Sequence, residues 1–237
     1  MNTRLIYYLF ISINLVSLTL KAQEEDIIPL SLTPTESLPN TKQYYLWSPR
    51  VSIAVPHPTG NKSFKKCFVG IYELTGGLNL MLYKGFFIGV SGKEALLKIT
   101  ENKIPDYNAN MRIDNAALKI GGDFYVGEKN RIILALAISG GKSWTKYEGF
   151  VCKDINKKPM ITSYTTNYIE PEVNLFFLVE SNFGIGATIS YSLFNTNFDP
   201  YELCLNDWAS FDKKNAGQTQ YLSFGLCFYY SLVNKKK

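Results

Sequence analysis

The feature that most constrains this chain is strict two-residue alternation near its C-terminus. From Tyr221 to Leu232, one set of positions reads Leu222, Phe224, Leu226, Phe228, Tyr230, Leu232, and the other Tyr221, Ser223, Gly225, Cys227, Tyr229, Ser231. Phe183 to Phe194 repeats this, with Phe183, Ile185, Ala187, Ile189, Tyr191 and Leu193 against Gly184, Gly186, Thr188, Ser190 and Ser192. Period two belongs to a strand with two different environments, since successive side chains leave a strand on opposite faces. A soluble sandwich also alternates, but its outer face usually carries Lys, Glu and Arg. Here the small, polar face has few charges and suits a narrow lumen, while the bulky apolar face suits lipid.

Six further segments alternate in the same way: Tyr44 to Val55, Lys66 to Leu82, Phe86 to Leu97, Ile113 to Val126, Arg131 to Trp144, and Ser163 to Val179. Most exceed the ~9–11 residues that a tilted membrane strand needs. The first is the weakest strand, because Pro49 removes a ladder donor. Short connections at 83–85, 127–130 and 180–182 alternate with long ones at 56–65, 98–112, 145–162 and 195–218. An even strand count with alternating short turns and long loops predicts an all-β, eight-stranded antiparallel up-and-down transmembrane β-barrel over 44–233, with both termini periplasmic. Almost no helical periodicity is read after Gln43.

The N-terminus sets the compartment. Arg4, an apolar run from Leu5 to Leu20, then Ala22 before the acidic Gln23-Glu24-Glu25-Asp26 form the layout of a signal peptide over 1–22. Residues 23–43 hold Pro29, Pro34 and Pro39 and read as a flexible periplasmic segment, and 234–237 as a basic tail. Removing Arg4 and Lys21 lowers the formal charge from +5 to +3. Three of those charges are Lys235, Lys236 and Lys237, so no nucleic-acid partner is indicated.

Taken together, the Ala22-Gln23 junction, the Gly184-Ile185-Gly186 hairpin strand and the segment Tyr168-Ile169-Glu170-Pro171-Glu172 resemble the small outer-membrane β-barrel proteins of Bacteroidetes, similar in architecture to the OmpA transmembrane domain and OmpX. The resemblance covers roughly residues 44 to 233, on the membrane-strand length rule. It implies outer-membrane lipid and the barrel assembly machinery as partners, with an envelope protein as a further one. Such barrels commonly end on an aromatic residue. This chain ends Leu232-Val233-Asn234 and three lysines, which leaves Tyr230 or Phe228 to serve.

The inward faces carry Arg50, Glu73, Lys93, Lys119, Asp123, Glu170 and Glu172. Folding the chain about its connections sets Arg50 opposite Glu73, Glu73 close to Lys93, and Lys93 near Lys119, with Glu170 and Glu172 supplying acid from across the barrel. Buried charges must be paired, so the expectation is a crossed ion network plugging the lumen. The competing expectation is a solvated pore lining.

Four cysteines in an exported chain permit disulfides in three pairings. Cys152 and Cys204 fall in long loops and are the expected bridge, with Cys67 starting the second strand and Cys227 in the lumen. The spacing offers no metal motif, and no cofactor or metal is expected. The glycine pairs Gly76-Gly77, Gly121-Gly122 and Gly140-Gly141 lack the following helix of a phosphate loop and mark bends or close packing.

The lone His57, between Pro56 and Pro58, is read as a solvated turn residue of the first long loop. A catalytic alternative at the outer rim would recruit Ser48, Ser52, Ser63 or Asp199. Tyr44, Tyr45, Trp47, Tyr125, Trp144, Tyr147, Tyr164 and Tyr230 are expected in interfacial girdles. Loop residues Trp208 and Phe211 have a carbohydrate-binding alternative. The functional expectation is a non-enzymatic barrel acting through its loops or periplasmic face. The alternatives are a rim-active enzyme using His57 and a soluble, exported lipocalin-like binding protein.

Overall fold

The computed structural model describes residues 46–100, 108–127, 131–154, 156–180, 182–208 and 217–232. The expected signal peptide, the 23–43 segment, Tyr44, Tyr45, Phe211 and the lysine tail lie outside these residues. Eight antiparallel strands close into one barrel in sequence order. They are β1 (Trp47–Pro58), β2 (Phe68–Tyr83), β3 (Phe86–Ile99), β4 (Asn110–Val126), β5 (Ile132–Glu148), β6 (Ser163–Leu178), β7 (Phe183–Phe198) and β8 (Gly217–Tyr230). β1 meets β8 from Arg50↔Tyr229 to Pro58↔Tyr221, so no edge is left between first and last strands. Closure lets Pro49 sit inside β1: it pairs with Leu78 of β2, and the β8 side opposite it lies between the Trp47↔Leu232 bridge and the Arg50↔Tyr229 pair.

Among the described residues, one short connection is complete, and it is a tight turn. Between β2 and β3, Lys84 (φ 41°) and Gly85 (φ 98°) both take positive φ, the two-residue hairpin geometry whose twist matches the strands. Opposite this end, the first long loop departs from expectation. It folds into a short helix, α1 (Lys62–Cys67), whose N-cap Asn61 accepts a hydrogen bond from the Phe64 amide at 3.0 Å. Cys67 therefore ends a helix rather than starting a strand. The signal was present as a capping Asn61 followed by Phe64 and Cys67 at three-residue spacing, but α1 is too short to show in a period count.

Two consequences follow for the wall. Six helical residues before β2 move the β1–β2 register, so that Arg50 faces Gly77 and Glu73 faces Ala54. A bulge at Ile71, between the Gly70↔Leu97 and Tyr72↔Leu96 pairs, then resets the pleat. As a result Val69, Ile71, Tyr72 and Leu74 are all exposed.

The exposed face is the apolar one. Leu118, Ile120 and Leu226 are 71%, 61% and 59% exposed. Val51, Ile53, Ile88, Val90, Ile138 and Ile189 face the same way. The belt runs from the short connections to a row of polar outward residues: Glu94, Asp114 and Lys142 on β3–β5, then Asn167, Asn195 and Gln220 on β6–β8. Arg112 closes that row by pairing with Glu94 (3.0 Å) and Asp114 (3.2 Å), and the Tyr72 hydroxyl donates to Glu94 at 2.6 Å. Roughly ten residues of tilted strand lie between turn and polar row, a rise of about 25 Å at ~3.3 Å per residue, the height of a bilayer's apolar band. Trp47 and Tyr230 are exposed at the turn edge of the belt and Trp144 at the polar edge. Tyr125, Tyr147 and Tyr164 were expected beside them but are half-buried: Tyr125 and Tyr147 pack on interior clusters, and the Tyr164 ring lies tilted against Tyr147 at 5.9 Å.

Candidate functional site

The interior is filled in three layers. Near the short connections, Met81, Ile133, Phe176 and Tyr229 form an apolar cluster, with Tyr125 and Leu178 against it. Near the long loops, Phe64, Phe68, Phe150, Phe198, Leu203 and Leu205 pack as another. Phe64 lies 5.3 Å from Phe68 and 5.4 Å from Phe198, ring centre to ring centre. Both layers use inward positions that the alternation marks only weakly, because large apolar residues there look the same as outward-facing ones.

Between these layers lies a band of charge. The Arg50 guanidinium donates to Asp123 Oδ2 at 2.5 Å, from β1 across to β4. It sits among three rings, with Phe87 at 4.8 Å and Phe176 and Tyr229 each at 5.4 Å. Phe87 fits because Gly121 stands beside it: a Cβ at Gly121 would fall 2.6 Å from the ring. Lys119 of β4 donates to Glu172 of β6 at 2.6 Å, and Asn174 donates to the other Glu172 oxygen. Lys93 of β3 lies 3.0 Å from Glu73 of β2 and pairs directly with Glu170 of β6. Ser223 donates to Glu73 at 2.8 Å, and Ser192 donates to Glu170.

All seven residues named from the sequence thus meet inside, but not in the pattern that simple folding predicted. Arg50 pairs with Asp123 rather than Glu73, because α1 and its loop displace the β1–β2 register by four residues. Lys93 faces Asn115, and Lys119 faces Gly89. The two cations are therefore not opposed, and each takes its own glutamate from β6. Three cations share four carboxylates, and Lys93 serves two of them. The residues missed were the hydroxyls Ser192 and Ser223, which the alternation shows only as small inward positions.

Cys152 and Cys204 are joined by a disulfide with Cα atoms 5.0 Å apart, tying the third long loop to the fourth. The Trp208 indole donates to the Val151 carbonyl at 3.1 Å, and the Met160 amide to the Glu202 carbonyl at 2.8 Å. Trp208 thus buttresses the loops. Cys67 is a buried free thiol whose pKa burial pushes up to about 12. Glu202, in the fourth loop, has its carboxyl raised, by burial first and by Asp199 second.

His57 is not in a loop. It lies within β1, paired with Leu222, and points outward. Ser48 and Ser63 are buried on the inner side, as is the half-buried Ser52, so none is turned toward the imidazole. Among the described residues, one group of potential metal ligands occurs, Cys152, Cys204 and Asp207, and its two sulfurs are those of the disulfide.

No family model and no curated protein matches the chain. Solved structures do. The outer membrane protein OprG from Pseudomonas aeruginosa aligns with 8% identity and a TM-score of 0.51, over 82% of this chain and 99% of that one. Neisserial surface protein A aligns with 9% identity and a TM-score of 0.49, over 78% and 97%. Ail of Yersinia pestis, in complex with a heparin analogue, aligns with 12% identity and a TM-score of 0.44, over 78% and 97%. This chain shares the fold of a small outer-membrane barrel.

Proposed function

We propose that this chain is an outer-membrane β-barrel, of the Bacteroidetes type, whose lumen is held shut by its own ion network. On this reading it does not conduct passively. It works through its long loops, outside the cell, or through its periplasmic face, where both termini lie. The belt of exposed Leu, Ile, Val and Phe supports the membrane reading, because a soluble protein rarely exposes so large a contiguous apolar surface. A lipocalin-like barrel would turn those residues inward. The outward placement of His57 speaks for a non-enzymatic role. Outer-membrane lipid, the barrel assembly machinery and an envelope protein are the partners this reading implies.

The single observation that carries the closed lumen is the Lys93 ammonium bridging Glu73 and Glu170 between two apolar layers. An eight-stranded interior is just wide enough for side chains to fill, and here they do. Fractionation with heat-modifiable migration on a detergent gel tests the membrane placement. The protein should partition with outer membranes and change mobility on boiling, and a soluble protein with unchanged mobility would refute it.

A further inference from the structure

The barrel wall is not continuous to its top. β6 pairs with β5 as far as Ser163↔Lys146, yet its register with β7 runs up only to Tyr168↔Phe194. β7 then turns to β8, pairing Asn197 with Gln218 and Phe198 with Gly217. Above Tyr168, therefore, the edges of β6 and β7 flank a gap, bridged at its base by the Thr166 hydroxyl donating to the Asn195 carbonyl at 3.0 Å. The gap is a cavity of about 240 Å³, with Asp199 and Glu202 of the fourth long loop at its side. Among the described residues no cation lies within ion-pair distance of either carboxylate.

A second cleft, of about 540 Å³, adjoins it and shares Tyr147 and Ile161 with it. Its floor is apolar, with Phe150, Val151 and Pro159, and Lys157 and Lys158 stand exposed at its rim. The walls are fixed before any ligand arrives. The Cys152–Cys204 disulfide, the Met160–Glu202 backbone bond and the Trp208–Val151 bond all cross between the two loops. The paired clefts thus offer negative charge at one end, an apolar middle and positive charge at the other, beside the stretch of β6 above Tyr168 that is out of register with β7.

We propose that these two cavities form one docking cleft for a short extended peptide with a basic side chain at one end and a free C-terminal carboxylate at the other. The basic group lies against Asp199 and Glu202. The carboxylate lies against Lys157 and Lys158. Apolar side chains cover Phe150, and the peptide backbone adds to that stretch of β6, as extended peptides do at exposed sheet edges. A prefixed cleft lowers the ordering cost of binding. The cleft rests on the reading that this protein works through its loops, and names the partner chemistry for them.

The probe is acetyl-lysyl-leucyl-phenylalanyl-alanine with a free carboxylate, titrated calorimetrically into the full chain folded in detergent micelles. Two controls replace lysine by glutamine or the carboxylate by an amide. Asp199→Asn with Glu202→Gln should weaken the parent peptide about three- to tenfold, and should leave the glutamine peptide unaffected. Lys157→Gln with Lys158→Gln should do the same for the carboxylate and not for the amide. A shift in gel mobility on boiling equal to that of the parent protein certifies that each variant is folded. Absence of binding, or equal binding of all three peptides, or double variants with wild-type affinity, would each overturn the cleft. None of those results would alter membrane fractionation or conductance, so the loop site fails separately from the closed lumen.

Discussion

Lys93 and Glu170 meet across the lumen from strands three places apart in a ring of eight, and both side chains are at most 4% exposed. A pair so deeply buried repays its desolvation only when every remaining donor and acceptor is also met. Glu73, Ser192 and Ser223 supply further partners to this pair.

Removing the shared cation should therefore cost far more than removing the whole cluster. Lys93→Met leaves two buried carboxylates facing each other and should destabilise the barrel by about 3–5 kcal/mol. Adding Glu73→Gln and Glu170→Gln should recover most of that. Urea unfolding in detergent, followed by gel mobility, measures both. Equal loss in the single and triple variants would mean that packing, not charge pairing, is what Lys93 contributes.

The lipid face can be tested against the lumen face on neighbouring strands. Leu226→Arg puts a charge near the middle of the belt and should cost about 2–4 kcal/mol in a bilayer. Thr188→Ala, on the inner face of β7, should cost about 1 kcal/mol. Gly225 is not a suitable inner comparator, since a Cβ there would stand 2.1 Å from the Ile53 carbonyl oxygen. Comparable folding yields for Leu226→Arg and Thr188→Ala in lipid vesicles would reverse the two faces.

Cysteine chemistry separates the four thiols into a bridge and two inert groups. Cys67, with its pKa near 12, stays protonated at pH 8 and is buried, and Cys227 is buried in the lumen. Iodoacetamide should label none of the four in the native oxidised protein, and only Cys152 and Cys204 after mild reduction. Peptide mapping reads the outcome, and labelling of Cys152 or Cys204 without reduction would exclude the bridge.

Glu202 gives a pH dependence of definite sign. Its folded pKa is raised, so the folded state favours the protonated carboxyl. That stabilisation is fully present below the unfolded pKa and is lost as pH rises through the folded one. Glu202→Gln should accordingly raise the thermal midpoint at pH 7 and have no effect at pH 3. An increase at pH 3 that matches the one at pH 7 would assign the effect to something other than ionisation.

The alternation was legible wherever one face is apolar and exposed and the other small, polar and inward, as in β7 and β8. The same signal carried the strand count, the order and the inward placement of all seven charged residues. Partners were not legible, because they depend on register. A six-residue helix capped by Asn61 and one bulge at Ile71 decide that Arg50 meets Asp123 rather than Glu73. The loop-end core was also hidden. Phe64, Phe150 and Phe198 lie in or beside connections, where no period marks which way a side chain turns.

The most direct test of the closed lumen is the current carried by the purified, unmodified protein in a planar bilayer. The ion network and its two apolar layers predict no steady conductance from the wild-type protein, and brief, flickering openings from Glu73→Ala, in which Lys93 loses one of its two carboxylates. Large, stable open channels in the unmodified protein would contradict the account.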